Sequence, residues 1–171
     1  MIENTDLAWM AGIIDGEGSI MFFDKRKLNI KKTKQYGWIT TAISVTNCDE
    51  FMIKRISQIW HELGLNFHYT LQKNNTRNKK WNEALKIQTT GLNNCKKLLE
   101  KIEPFLWNKK YLAKFLLEYI NWRQIKGFDP FRKPISKEEI ENWFNLYHIV
   151  KQPKIISPET TRKASKILGS G

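Results

Sequence analysis

The sequence of 171 residues has little of what builds disulfide-rich or zinc-binding proteins. It contains two cysteines, Cys48 and Cys95, and three histidines. Their positions match neither a disulfide framework nor a Cys/His spacing typical of zinc. No run approaches the ~18 apolar residues that a membrane span needs, and the first residues show no signal-peptide pattern. We therefore expect an intracellular protein without structural zinc.

Acidic residues are also scarce beside basic ones. The chain has 17 Asp and Glu against 29 Lys and Arg, a formal net charge of +12. Such a field favours a polyanionic partner, with nucleic acid first and an anionic membrane surface second. Charge alone leaves open whether binding is specific, or whether the surface is simply basic. The abundance of Lys, Asn and Ile is typical of an A+T-rich genome, for which a mitochondrion or chloroplast is one candidate compartment.

Length and hydrophobic content predict one folded domain. Hydrophobic residues make up 41% of the chain and aromatic residues 12%, which argues against a disordered protein. We expect a single domain over residues 1–168, with a core at about 4–126 and C-terminal helices at about 136–168. Residues 169–171 are expected to be a tail outside this domain.

The hydrophobic pattern predicts helix, two strands, helix, two strands, helix, followed by further helices. The predicted ranges are a helix from Asn4 or Thr5 to about Ile14, strands at 19–23 and 38–46, a helix capped by Asp49 to about Leu63, strands at 66–73 and 81–90, and helices at 93–102, 109–126, from Ser136 and from Ser157. Asn108 is the expected N-cap of the fourth helix, and Ser136 with Glu139 forms a capping box for the fifth. This order indicates an α+β fold with helices on one face of a four-stranded sheet.

A sheet covered on one side leaves its other face free for a ligand. Alternation in the strand at 38–46 places Ile39, Thr41, Ile43 and Val45 toward the core. The residues predicted on the free face are Lys25, Lys27, Trp38, Thr40, Ser44, Tyr69, Lys73, Lys86 and Gln88. Basic, hydroxyl, amide and aromatic groups together suit contacts with phosphates and base edges. The alternative is that any solvated sheet face is polar.

The stretch from Trp9 to Ile20 combines small residues with two acids. Ala11 and Gly12 would let another backbone approach the helix closely. Asp15 and Glu17 alternate with two glycines at the helix exit, where a carboxylate is well placed for a hard cation. The alternative is a core helix that ends in a polar cap and a turn.

This stretch, the repeated strand-turn-strand order and the segment Glu103-Pro-Phe-Leu-Trp-Asn-Lys-Lys110 resemble the LAGLIDADG homing endonucleases. The nine motif positions read Met10-Ala-Gly-Ile-Ile-Asp-Gly-Glu-Gly18. Ala11, Gly12, Ile14, Asp15 and Gly18 match the motif letter for letter, and Glu17 keeps its second acid. The resemblance covers nearly the whole chain and implies an αββαββα core with an antiparallel, DNA-binding sheet.

The resemblance also implies an assembly. In the family, two copies of the motif helix pack together at the centre, whereas this chain carries one motif. It therefore implies a homodimer on a long, nearly palindromic site in double-stranded DNA. The expected interface residues are Ala8, Ala11, Gly12 and Asp15, with Asp15 as a helix cap at the interface rather than a metal ligand.

For catalysis, the resemblance implies a metal-dependent cut in each DNA strand. Glu17 and the carbonyl of Gly16 would bind Mg²⁺ or another divalent cation. Lys109 falls where the family has a basic active-site residue, and Asn47 where close relatives carry a water-ordering amide, commonly Gln. Two alternatives stay open, an RNA-binding maturase for an intron and a DNA-binding regulator without catalysis.

Overall fold

The computed structural model describes residues 2–24, 39–72, 83–127 and 135–151. Its elements are α1 (Asn4–Gly16), β1 (Gly18–Asp24), β2 (Ile39–Asn47), α2 (Glu50–Glu62), β3 (Phe67–Gln72), β4 (Ala84–Thr90), α3 (Leu92–Ile102), a 3-10 turn (Glu103–Phe105), α4 (Lys110–Lys126) and α5 (Lys137–Lys151). The predicted α+β class and order are confirmed. Lys25, Lys27, Trp38, Lys73 and the helix expected from Ser157 lie outside the described residues, as do residues 169–171.

The four strands form one antiparallel sheet in the order β1-β2-β4-β3. Gly18 pairs with Val45, and Val45 pairs with Ile87 on its other side. Ile43, Val45 and Ile87 have no exposed surface and belong to the same core as the buried residues of α1, α2 and α3. The helices therefore cover one face of the sheet, and the other face carries the alternate residues of each strand.

The C-terminal helices pack at the β1 edge around one aromatic side chain. Phe22 lies 5.3 Å from the ring of Phe115 and 4.8 Å from that of Tyr119 on α4. It also lies 5.0 Å from the ring of Phe144 and 5.3 Å from that of Tyr147 on α5. These contacts tie β1, and with it the turn that leaves α1, to the first half of α4 through a packed aromatic cluster.

Local capping explains where two of the helices begin, as predicted. The carboxylate of Asp49 accepts the N–H groups of Phe51 and Met52 at 2.8 and 3.2 Å. Ser136 and Glu139 exchange the two hydrogen bonds of a capping box at 3.1 and 3.0 Å. The predicted cap of α4 is wrong, because its N-cap residue is Lys109 rather than Asn108 and no local side chain accepts its first N–H groups.

Within the residues that the structure describes, every helix is too short or too polar to cross a membrane.

Candidate active site and nucleic-acid interface

The end of α1 fixes the position of Glu17. Glu17 is the C-cap residue, and its backbone N–H donates to the carbonyl of Ile13 at 2.8 Å. The chain then turns directly into β1 at Gly18, where an added Cβ would lie 2.7 Å from the Cα and carbonyl oxygen of Ile14. Only glycine fits this close approach of β1 to its own helix. The Glu17 side chain is left exposed at the junction.

Asp15 caps α4 from across the fold. Its carboxylate accepts three consecutive backbone N–H groups, those of Trp107 at 2.5 Å, Asn108 at 3.2 Å and Lys109 at 2.8 Å. These groups precede the first turn of a helix and need an external acceptor, which a carboxylate supplies well. Asp15 was expected to cap a helix at the dimer interface. Its carboxylate is instead engaged within its own chain, because α4 of that chain begins beside it.

The side chain of Lys109 also contacts Asp15. Its ammonium group donates a short hydrogen bond to the backbone carbonyl of Asp15. Burial lowers the pKa of the Lys109 ammonium, while the nearby charges of Asp15 and Glu17 act to raise it. Because Glu17 follows Asp15 by two residues, this hydrogen bond brings the ammonium of Lys109 to the helix end that carries Glu17.

The C-terminus of α1 is a place where a cation is favoured. Its last turn holds no basic residue of its own, so the negative end of the helix dipole adds to the charges of Asp15 and Glu17. Gly16, the predicted second metal ligand, is exposed beside Glu17. Among the described residues there is no group of three or more His, Cys, Asp or Glu side chains that could hold a metal ion. Binding of a cation by Glu17 and the Gly16 carbonyl stays a prediction.

Asn47 lies at the end of β2. Because Gly18 pairs with Val45 and β1 runs antiparallel to β2, this end of β2 lies beside the junction that carries Glu17. The amide oxygen of Asn47 accepts the N–H of Asp49 at 2.8 Å. The side chain is therefore partly committed to the turn that opens α2, and its amide NH₂ can donate to a water.

The strand register decides which residues lie on the free face. Across the sheet, Ser19 pairs with Ser44, Ser44 with Gln88, and Gln88 with His68. A second row joins Thr46, Lys86 and Thr70, and Thr40 pairs with Phe23 nearer the hairpin end of β1. Thr40, Ser44, Lys86 and Gln88 thus lie on the face away from the helices, as predicted, although Ser44 keeps only 4% of its surface exposed. Their contact with DNA stays a prediction.

Tyr69 was predicted on the free face and is on the other one. It pairs with Ile87, a core residue, and its ring packs 5.8 Å from that of Phe67. Tyr69 faces the helices because side chains alternate along β3, and its apolar side consists of Phe67, Tyr69 and Leu71. His68, Thr70 and Gln72 form the polar side, and these three residues, missed from the sequence, face the same way as Lys86 and Gln88.

Of the four residues expected at a dimer interface, Asp15 is engaged within its own chain, and the other three separate into two groups. Ala11 has no exposed surface because it packs into the core of its own chain, so its side chain cannot meet a second protomer. Ala8 and Gly12 are exposed on α1, and a Cβ added at Gly12 would meet nothing within 4 Å. A glycine inside a helix destabilises it by about 1 kcal/mol relative to alanine. The protomer alone therefore gives no reason for glycine at this position.

No protein-family model matches the chain, and no curated protein matches it. Solved structures do match. The homing endonuclease I-CvuI, in complex with its target in the presence of Ca, shares 20% identity and a TM-score of 0.56 over 97% of this chain and 96% of its own. The archaeal intron-encoded homing endonuclease I-Vdi141I, complexed with DNA, shares 15% identity and a TM-score of 0.57 over 99% and 100%.

A third match differs in length. The LAGLIDADG homing endonuclease I-SmaMI, bound to cleaved DNA, aligns with 100% of this chain but only 50% of its own, at 17% identity and a TM-score of 0.53. One chain of that protein is thus about twice the length of the unit described here. The sheet topology, the motif at the end of α1 and these likenesses agree: this chain has the fold of the LAGLIDADG homing endonucleases.

Proposed function

We propose that this protein is a site-specific DNA endonuclease that hydrolyses one phosphodiester bond in each strand of its target. The observation that carries this proposal is the junction of α1 and β1, where the exposed Glu17 follows by two residues the Asp15 carbonyl that accepts the Lys109 ammonium. This junction lies at the end of a sheet whose free face bears hydroxyl, amide, imidazole and ammonium groups. Because the similar structures are endonucleases with bound DNA, we favour this function over an intron maturase.

The charge of the chain supports a nucleic-acid partner. A net charge of +12 attracts the phosphate backbone without reading its sequence. Sequence would be read by the free face, where Gln88 suits the N6 and N7 edge of adenine and Lys86 suits either guanine or a phosphate. The serine and threonine hydroxyls beside them can donate to or accept from base edges.

The donor set at the end of α1 fits Mg²⁺ or Ca²⁺. Both cations prefer oxygen ligands, and Mg²⁺ keeps several waters and completes its shell with substrate phosphate oxygens. The Glu17 carboxylate and the Gly16 carbonyl would hold the cation in each protomer. When bound, a divalent cation polarises the scissile phosphate and makes a bound water more acidic.

The protein groups around this site would perform the remaining tasks. Lys109 places a positive charge, directed by its bond to the Asp15 carbonyl, where negative charge develops on the phosphate oxygens. The amide NH₂ of Asn47 would orient a water by donating to it, while its oxygen accepts the N–H of Asp49. The half-buried position of Lys109 strengthens its interaction with the phosphate relative to a fully solvated ammonium.

We further propose that two copies assemble through the exposed face of α1. Ala8 and Gly12 lie there one helical turn apart, and their small size permits a close helix–helix approach. I-SmaMI, whose chain is about twice this length, supports the idea that two such units work together. A two-fold homodimer would place one Glu17 near each strand of a nearly palindromic site.

The first test is Glu17→Gln, which keeps the size of the side chain and removes its charge. Without this carboxylate the cation is lost, and we expect the Mg²⁺-dependent cleavage rate to fall by at least about 10³-fold, because metal stabilisation of the reacting phosphate amounts to several kcal/mol. The dissociation constant for the uncut site should change by less than about threefold. Glu100→Gln, the same change at an exposed position of α3, is the matched control. Strand cutting by pure Glu17→Gln protein would refute the ligand assignment.

The second test concerns the free face. Lys86→Ala should weaken binding of the target duplex and reduce the slope of log K against log salt by about 1, as expected when one phosphate contact is lost. Lys101→Ala removes the same charge from an exposed site on α3, on the helix side of the sheet. Equal effects of the two substitutions on affinity and salt slope would mean that the free face is not the DNA surface.

The third test concerns assembly. Gly12→Leu should convert a dimer into monomers, because the leucine side chain would occupy the space that the partner helix needs. Sedimentation equilibrium measures the change. Asn121→Leu, which adds the same side chain to an exposed position of α4, should stay dimeric. A Gly12→Leu protein with the wild-type molar mass would exclude α1 from the interface.

A further inference from the structure

We propose that Asp15 is a positioning residue that sets the Lys109 ammonium against Glu17, an inference that rests on the proposed nuclease function. The evidence is a reciprocal contact between two helix ends that are 94 residues apart in sequence. The carboxylate of Asp15 holds the start of α4, and the side chain of Lys109 holds the end of α1. One residue pair therefore fixes both the backbone and the tip of Lys109.

The backbone half of this contact sets the direction in which Lys109 leaves the chain. The oxygens of Asp15 accept from Trp107, Asn108 and Lys109 at 2.5, 3.2 and 2.8 Å. No local side chain caps α4, so Asp15 supplies the side-chain acceptor for this turn. A carboxylate that receives three N–H bonds leaves the turn little freedom to rotate.

The side-chain half sets where the ammonium ends. Lys109 donates to the carbonyl of Asp15, which lies two residues before Glu17. A lysine side chain that is free in water samples many rotamers. Here its tip is tied to the same helix end that carries the proposed metal-binding carboxylate. The Lys109 ammonium is thus held at the proposed reaction site before the DNA arrives.

The substitution Asp15→Asn tests the hydrogen bonds of residue 15 without a change in side-chain size. The variant keeps the backbone carbonyl and the volume of the side chain, but one of its two acceptor oxygens becomes an NH₂ group facing backbone N–H donors. We expect the 107–109 turn to shift and the single-turnover cleavage rate to fall by about 10²-fold, the cost of a small misplacement of a catalytic group. DNA affinity should stay within threefold of wild type, because Asp15 is engaged inside the protein.

A double-mutant cycle shows whether Asp15 acts through Lys109. Lys109→Met removes the ammonium group and keeps a long side chain. If Asp15 positions Lys109, then Asp15→Asn combined with Lys109→Met should cut within threefold of the rate of Lys109→Met alone. If the rate reductions of Asp15→Asn and Lys109→Met multiply in the double variant, the proposal is overturned. A merely structural role of Asp15 would reduce the cleavage rate by the same factor with and without the Lys109 ammonium. Asp15→Glu, which retains the charge and displaces the turn, repeats the cycle if Asp15→Asn folds poorly.

An NMR measurement on the free protein separates this inference from the nuclease function itself. The ¹⁵N-labelled ammonium signal of Lys109, identified by its loss in Lys109→Met, should shift in Asp15→Asn and not in the control Glu100→Gln. A protein that binds DNA and cuts no duplex would refute the nuclease function, while this shift would still support the positioning. An unchanged Lys109 signal in Asp15→Asn would overturn the positioning whatever the cleavage assay gives.

Discussion

The contact between Asp15 and Lys109 joins the two parts of the structure on which the site depends. Through it, the C-terminus of α1 and the N-terminus of α4 satisfy each other's unpaired backbone groups. Either helix end alone would leave polar groups without partners beside a packed core. The ring of Phe22 also stabilises the contact between these helix ends, since it packs β1 against α4. These contacts also fix the position of Glu17, because it lies between the last residue of α1 and the first residue of β1.

The nine residues from Met10 to Gly18 divide these tasks according to their chemistry. Met10, Ala11 and Ile14 have no exposed surface and hold α1 in the core. Gly12 is exposed and has open space around it, and its contact with a second protomer stays a proposal. Asp15 stabilises the start of α4, Glu17 is exposed, and Gly18 lets β1 start against the helix. A motif that reads as two similar acids therefore contains one acid that holds the start of α4 and one proposed catalytic acid.

Periodicity and caps predicted the element order and most boundaries to within three residues, because those signals are local. The wrong predictions concern residues whose position depends on contacts with parts of the chain that are distant in sequence. Asn108 was the expected cap of α4, but the true acceptor is Asp15, more than 90 residues away. Tyr69 was predicted on the wrong face, because the register with Ile87 turns the apolar side of β3 toward the helices. Ala11 was expected at an interface, and the chain's own core already encloses it. Sequence pattern alone does not report which small residue faces inward.

The central claim is that the junction of α1 and β1 cuts DNA at a defined site. The most direct measurement incubates the wild-type protein and Mg²⁺ with a randomised duplex library and sequences the ends of the cleaved molecules. We predict that the cleaved duplexes share one long, nearly palindromic sequence and are cut in both strands, with no cleavage when the divalent cation is chelated. Cleavage without a shared sequence, or a library left intact under conditions where the protein binds DNA, would contradict that claim.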